Sequence, residues 1–600
     1  MIYVWFAVLG CPKSGPDAAT GDRPAEVGSP LRAEAVQGID TPVLQTVAAS
    51  HWDATMARYP QWANDLGDQR FSDQLYDPSP EARDAWTRRI RDWVVRLSAI
   101  PQGALTRRDQ LTRDLLRRNL RSSLRSSVCQ FDEWSISARG NALVGANSLA
   151  ETPRLDDEAD ARDLLARYRA LPGSVRQEIA NLRRGLAEGR VGIAASMQLV
   201  VDMLDGQLAL APEASPLAEP LADAPAFEGR DAWRDEVLAL IGGDIQAAFG
   251  EYRDFVRDEL VPAGRKGTDI GLHALPDGQA CYEARIEDHT TLSRTADELH
   301  ELGLASLRSI HAEFRTLGKA VFDTDDLATI FERLRTDPAL RFETAEQVEQ
   351  TAEDALARAR EAMPSFFGRL PQAPCVVQPI PEYLAPHTTI AYYQLPRPDG
   401  SRPGIYYVNT YAPETRPRHE AEVLAFHESI PGHHLQIAIG QELDALPAFR
   451  RHASFTAFIE GWALYTERLS DEMGLYTGDT DRLGMLSFDA WRASRLVVDT
   501  GLHAKGWSRQ RAETFMEENT PLAINNIANE VDRYVNTPGQ ALAYKVGQLE
   551  IARLRDQARE QLGEAFSYPD FHDQVLGAGA VPLPVLASRI EAWLGEDAAN

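Results

Sequence analysis

Residues 427–434 read His427-Glu428-Ser429-Ile430-Pro431-Gly432-His433-His434, and Glu460 follows some thirty positions later. Histidines beside a glutamate are what a metal-dependent hydrolase needs: neutral imidazoles for the metal, and a carboxylate next to the water it activates. Four of the thirteen histidines, His419, His427, His433 and His434, fall within sixteen positions, and such clustering favours a metal over isolated structural roles. The spacing is irregular. In the usual H-E-x-x-H the histidines stand at i and i+4 on one helix face, whereas Pro431 holds the fourth place after His427. On a straight helix His433 would lie ~240° around from His427, and His434 nearly in line with it but ~10 Å up the axis. Neither arrangement gives two bonds of ~2.0–2.1 Å to one ion. Pro431 removes the amide that would bond the His427 carbonyl, and Gly432 permits a distorted turn. A bulged motif is expected, with His433 as the second ligand and His434 as its rival.

A third ligand is on offer in Glu460-Gly461-Trp462-Ala463-Leu464-Tyr465-Thr466-Glu467. Glu460 stands among Phe458, Ile459 and Trp462, and a buried carboxylate needs a partner such as a metal. Gly461 would let a neighbouring backbone come close. Glu467 falls on a similar face and is expected to support the site from behind or to sit at the surface. Asp499 precedes His503 by four, so on a helix the carboxylate can orient the imidazole. His503 would then bind a developing oxyanion or a substrate carboxylate; an ordinary surface ion pair is the competing reading. Tyr534 and Tyr544 flank Pro538-Gly539, and either hydroxyl, Tyr544 by preference, could stabilise a tetrahedral intermediate or simply pack. Tyr407, Asn409 and Tyr411 alternate on a predicted strand, where they line a cleft or merely cover a sheet.

The elements that must position these residues are mainly helical. Trp86, Ile90, Trp93, Val94 and Leu97 recur at helical spacing within a helical stretch of about 43–125, with Ser79 as N-cap and Pro80 at the first turn. Seven arginines between Arg107 and Arg125 share a stretch with Leu111, Leu115, Leu116, Leu120 and Leu124, which reads as an amphipathic helix with a basic face rather than a polyanion site. Helices continue over 154–211. The proline-rich stretch 212–226 is the expected boundary between an N-terminal helical region, 43–211, and a catalytic region, 227–595. One long helix spans Trp233 to Leu260, Tyr282 to His289 is a short strand or extended arm, and a helix follows from about Ala296 to Leu317. Between 374 and 411 the period changes to short β-branched and aromatic runs separated by Pro- and Gly-rich turns, which predicts a small antiparallel sheet. Its edge strand would hold an extended peptide by main-chain hydrogen bonds. Pro417 then opens the helix bearing His427, and the chain is helical again from 453 onward.

Six hundred residues leave room for a large two-lobed body or a few domains. The net charge of −27 argues against nucleic acid or an anionic membrane surface as a partner. Cys11, Cys129, Cys281 and Cys375 form no C-x-x-C pair, so a cysteine metal site or redox motif is not expected. The uncharged run 2–10 ends at Val8-Leu9-Gly10-Cys11, followed by Gly-, Ala-, Pro-, Asp- and Ser-rich sequence. This resembles the end of a bacterial lipoprotein signal, 1–11, with a lipid anchor at Cys11 and a flexible tether, 12–42. The run is short and lacks a basic segment before it, departures that a misplaced start codon would explain. An exported protein, periplasmic or membrane-anchored, is expected. No other apolar stretch approaches a transmembrane span.

Three stretches carry a closer resemblance: His-Glu-Ser-Ile-Pro-Gly-His-His-Leu-Gln from His427, Asp499-Thr-Gly-Leu-His503-Ala-Lys-Gly-Trp507, and Pro538-Gly-Gln-Ala-Leu-Ala-Tyr544-Lys-Val-Gly547. They are similar to the bacterial DUF885 family over roughly residues 45–595. The His-Glu motif followed by Glu-Gly-Trp-Ala-Leu-Tyr-Thr-Glu also looks like the gluzincin peptidases, whose downstream ligand sits in a similar Glu-Gly segment. The resemblance implies a mainly α, two-lobed zincin-like fold with a deep cleft, and one Zn2+ per chain. It places His427 and Glu460 at ligand positions and Glu428 as general base. Gly432-His433 lines up with the Gly-His of thimet-type oligopeptidases once two residues are treated as inserted. The function expected is a zinc-dependent peptidase acting on short peptides. A non-catalytic metal- or peptide-binding lipoprotein, and a metal-dependent amidase or esterase on other substrates, are the alternatives.

Overall fold

The structure, a computed structural model, describes residues 30–151, 155–382, 385, 390–397, 400 and 402–597. These divide into two compact units, one up to Ala280 and one from Cys281 onward. The lipoprotein signal with Cys11, and most of the tether, lie outside the described residues. The described end of the tether is not free chain. It carries a short helix, Pro30–Val36, and is pinned where the buried Asp109 carboxylate accepts from Thr41 N at 2.9 Å and Thr41 Oγ1 at 2.6 Å.

The N-terminal unit is built of helices. Pro80–Ala99 starts as predicted, with the Ser79 hydroxyl accepting from Ala82 N. Arg107–Ser126 buries Leu115, Leu116 and Leu120 and exposes Arg107, Arg108, Arg121 and Arg125, the amphipathic arrangement its spacing predicts. The proline-rich stretch 212–226 does not mark the boundary. Its apolar residues between prolines, Leu217, Ala218 and Leu221, join the core around Tyr168 and Trp233, and Tyr168 Oη donates to the Leu217 carbonyl.

In the C-terminal unit, Tyr282 to His289 is helical, within Gly278–Thr290, not a strand. The turn at Leu275-Pro276-Asp277-Gly278 launches a helix here; Ile286 and Thr290 stand one turn apart, and Thr290 Oγ1 donates to the Ile286 carbonyl. Helix α1, Ala296–Phe322, opens with a capping box between Thr295 and Glu298. The sheet comprises β1, Cys375–Pro379, β2, Ala391–Gln394, and β3, Gly404–Val408, in the order β1-β3-β2. It is mixed rather than antiparallel. β2 and β3 pair antiparallel across the Pro-rich turn, whereas β1 lies on the far side of β3 and runs parallel to it.

The remaining elements carry the site: α2, Ala421–Glu428; α3, His433–Gln441; α4, Thr456–Glu472; α5, Asp479–Lys505; α6, Ile524–Asn536; and α7, Ala543–Leu562. Pro417 precedes a single 3-10 turn ahead of α2. α4 and α7 nearly touch: a Cβ on Gly461 would lie 2.4 Å from Gly547 Cα, so the Glu-Gly motif brings two backbones together. α5 is buried on every face from Leu483 to His503. Polar residues on such a core helix must find partners in the interior. No helix among the described residues is long and apolar enough to cross a membrane.

Candidate metal centre

The His-Glu motif is broken rather than bulged. α2 ends at Glu428 and α3 begins at His433, so the two histidines sit on different helices. Between them Ser429 and Gly432 adopt non-helical backbone angles. His434 N donates to the Ser429 carbonyl at 2.9 Å, which closes the turn. A Cβ on Gly432 would lie 2.0 Å from the His427 carbonyl oxygen and 2.3 Å from that of Phe426, so no other residue fits. Trp462 Nε1, two positions past Glu460 on α4, donates to the Pro431 carbonyl at 3.0 Å. One helix therefore supplies a candidate ligand and clamps the break that positions another.

The break turns His433 back toward His427. Ligand atoms of His427, His433 and Glu460 all lie within 4.8 Å of one another. Glu460 Oε2 is 3.9 Å from His427 Nε2 and 3.4 Å from His433 Nε2, and the two rings are nearly perpendicular. Donors bound tetrahedrally at about 2.1 Å stand ~3.4 Å apart, so the spacing suits one ion. All three side chains are buried; His433 Nδ1 has no partner, and its Nε2 meets only Glu460. An interior imidazole with an unmatched nitrogen is an unfavourable arrangement unless something else engages it. The residues fit a metal, and a two-imidazole, one-carboxylate donor set suits zinc.

Electrostatics favour the ligand state of His427 and Glu460. Burial, then His433 and Arg492, holds His427 well below the usual imidazole range, so it is neutral. Its Nδ1 meets Glu467 Oε1 at 2.7 Å, which leaves Nε2 facing Glu460. Glu467 is thus an interior group, not a surface acid. Burial pushes its carboxyl up to about 8, opposed by Arg492, whose Nη2 lies 3.7 Å away. Burial opposes ionisation of Glu460 too, but contact with His433 and a hydrogen bond from Tyr544 hold it below the usual carboxylate range.

The other predicted residues separate clearly. His434 faces the sheet: Nδ1 meets Tyr393 Oη at 2.9 Å and Nε2 the Ala373 carbonyl at 2.9 Å. Both nitrogens being engaged there, it is not the second histidine of the cluster. Glu428 is buried at the end of α2 with Tyr406 of β3 alongside; burial and then Glu428 keep that phenol protonated. Tyr544 reaches the site, its hydroxyl bonding Glu460 and accepting from Gln540 Nε2 at 3.3 Å. Burial and then Glu460 raise it to about 12. Tyr534 is engaged elsewhere: its hydroxyl accepts from Trp491 Nε1 and Arg495 Nε and donates to Glu530 Oε2. His503 is buried, with Nε2 on the Tyr534 carbonyl at 3.0 Å. Asp499 accepts from Tyr282 Oη at 2.6 Å and Gly539 N at 3.2 Å. Asp499 and His503 are therefore both interior, not members of a surface ion pair. On the sheet, Tyr407 stacks on Tyr392, Asn409 donates to the Ala385 carbonyl and Tyr411 is exposed. The strand residue beside Glu428 is Tyr406, one position away and so on the opposite face.

Three groups escaped the sequence reading: Arg492, Arg495 and Glu530. Their signal was present. Two arginines interrupt an otherwise apolar and small-residue run on α5, and on a helix buried all round a cation must be paired inside.

Fold and site together define a mainly helical protein whose core helices bring a His-His-Glu cluster of metal-binding type to one point. The chain belongs to the DUF885 family, bacterial proteins of unknown function, with the match running over residues 60–590. Its fold is similar to that of a protein from Colwellia psychrerythraea described as a "putative lipoprotein", with a TM-score of 0.85, 25% identity, and 93% of this chain and 100% of that chain covered. It is also similar in fold to a "putative lipoprotein of unknown function" from Shewanella oneidensis, with a TM-score of 0.72, 18% identity, and 91% and 99% of the two chains covered. No curated protein matches the chain.

Proposed function

We propose that the protein is a metal-dependent peptidase of gluzincin type, acting on short peptides. The observation that carries this reading is the convergence of His427, His433 and Glu460, with Glu428 directly following the first ligand. A bound Zn2+ would supply a Lewis acid and bring the pKa of water toward ~7. Glu428 takes the proton from the attacking water and delivers it to the leaving amine. Glu467 holds the His427 ring in place through Nδ1. Tyr544 keeps its proton and donates a hydrogen bond to the developing oxyanion. In this reading Tyr534 and His503 support from behind, Tyr534 by holding Arg495 and His503 by holding the Tyr534 backbone. The lipoprotein descriptions of the two similar structures, with Val8-Leu9-Gly10-Cys11 in the sequence, support an exported, lipid-anchored enzyme.

The test is Glu428→Gln in zinc-loaded protein, assayed on a peptide library. Turnover is expected to fall by ~10^2–10^4-fold with metal content unchanged. Near wild-type turnover in that variant would overturn the assignment.

A further inference from the structure

Beside the metal cluster lies a buried cation that shares its counter-ion and keeps one donor free. Arg492 and Arg495 leave α5 on either side of Trp491, and both guanidinium groups lie over its ring, at 4.3 Å and 4.5 Å. Arg492 has an acidic neighbour in Glu467. Arg495 has only a share in one: Glu530 accepts from Arg495 Nη2 at 2.9 Å and from Arg533 Nη2 at 2.8 Å, so two guanidiniums divide a single carboxylate. Arg495 Nε is bound to Tyr534 Oη, and Nη1 has no partner although the residue is only 1% exposed. A guanidinium donor left unmatched in the interior is unfavourable unless an acceptor completes it.

The position of this group says what the acceptor is. The Arg495 guanidinium lies 4.3 Å from the centre of the Tyr544 ring, whose hydroxyl reaches Glu460. The gap from Arg495 to the ligand cluster is thus bridged by one tyrosine, a span of about one or two peptide residues. Arg533, through Gln540, also ties Glu530 to the Tyr544 hydroxyl, so the guanidinium and the oxyanion donor are held in one network. The free Nη1 can donate a charge-assisted hydrogen bond to a carboxylate.

We propose that Arg495 receives the main-chain carboxylate of the substrate, which makes this protein a carboxypeptidase that cleaves one or two residues from a free C-terminus. This rests on the peptidase reading for the cleavage but not for the binding. The test is therefore a binding one. Full-length Glu428→Gln protein, zinc-loaded, is titrated calorimetrically with one tripeptide as free acid, as C-terminal amide, and as amide with glutamate in the last position. The free acid is expected to bind at least ~10-fold tighter than either amide, as suits a charge-assisted hydrogen bond. Arg495→Met in the same background removes that preference and leaves amide binding in place. Arg495→Lys, which keeps the charge but not the Nη1 donor, must also reduce it and serves if the Met variant does not fold. Equal affinities for acid and plain amide, a preference that survives both substitutions, or a glutamyl amide that binds like the acid would overturn the proposal. Absence of turnover in the wild type, with the acid preference intact, would sink the peptidase reading alone.

Discussion

Both units complete buried charges within the fold, but they differ in where they leave polar atoms unmatched. In the N-terminal unit Glu133 lies between Arg184 and Arg190, each at 2.9 Å, and Tyr252 Oη donates to Glu178 at 2.6 Å. Interior acids there have their partners within the fold, and the polar groups left unmatched are scattered single atoms. In the C-terminal unit unmatched atoms are also scattered, but some gather: His433 Nδ1, Glu467 Oε2, Arg492 Nε and Arg495 Nη1 belong to side chains on or around one cluster. Groups completed by the fold serve stability. Groups left incomplete at one point fit the metal proposed for the cluster.

That contrast can be broken from either side, and the largest effect belongs to the cluster. His433→Ala should abolish metal uptake and cut any turnover by ~10^3-fold or more, while the metal-free protein loses only the Glu460 contact and shows at most a small fall in Tm. A large fall in the Tm of the metal-free variant would show that His433 is structural after all. On the other side, Glu133→Ala should destabilise by about 3–5 kcal/mol in chemical denaturation, since it leaves two arginines facing a buried void. Metal stoichiometry of the folded fraction should not change. Loss of metal there would erase the distinction between the units.

A smaller effect is expected at Glu467. Glu467→Gln should weaken zinc by ~10- to 100-fold in competition with a chelator, leaving the fold intact. Unaltered affinity would mean the His427 ring is held without it. Smallest is a pH effect at Asp499, whose carboxyl is raised to about 7 by burial, with Tyr282 opposing. With the folded value above the unfolded one, ionisation favours the unfolded chain. Stability should fall as pH rises from about 4 to about 7, and Asp499→Asn should flatten that slope in thermal melts taken across the range.

How much of this was legible in the sequence follows from the range of the interactions involved. Local signals carried well: the Ser79 cap, the amphipathic arginine helix, and Glu460 set among aromatics. His433 over His434 was reachable only as an alternative, because the choice depends on how far a four-residue break redirects α3, and that is decided by contacts with α4 and the sheet. Turn residues misled at 278–290, where a helix follows the Pro-Asp-Gly turn, and at 212–226, where apolar residues between prolines are buried. Strand order was beyond reach, since period-2 patterning is the same for parallel and antiparallel partners. The one-residue offset from Tyr407 to Tyr406 reflects a face assignment that only packing resolves. Arg495 was missed because its meaning lies in what surrounds it in space.

The most direct test of the central claim is metal stoichiometry. Wild-type and His433→Ala proteins, stripped and then dialysed against zinc, are compared by mass spectrometry. The account predicts one zinc per wild-type chain and essentially none in the variant. Equal zinc in the two proteins, or none in the wild type, would contradict it.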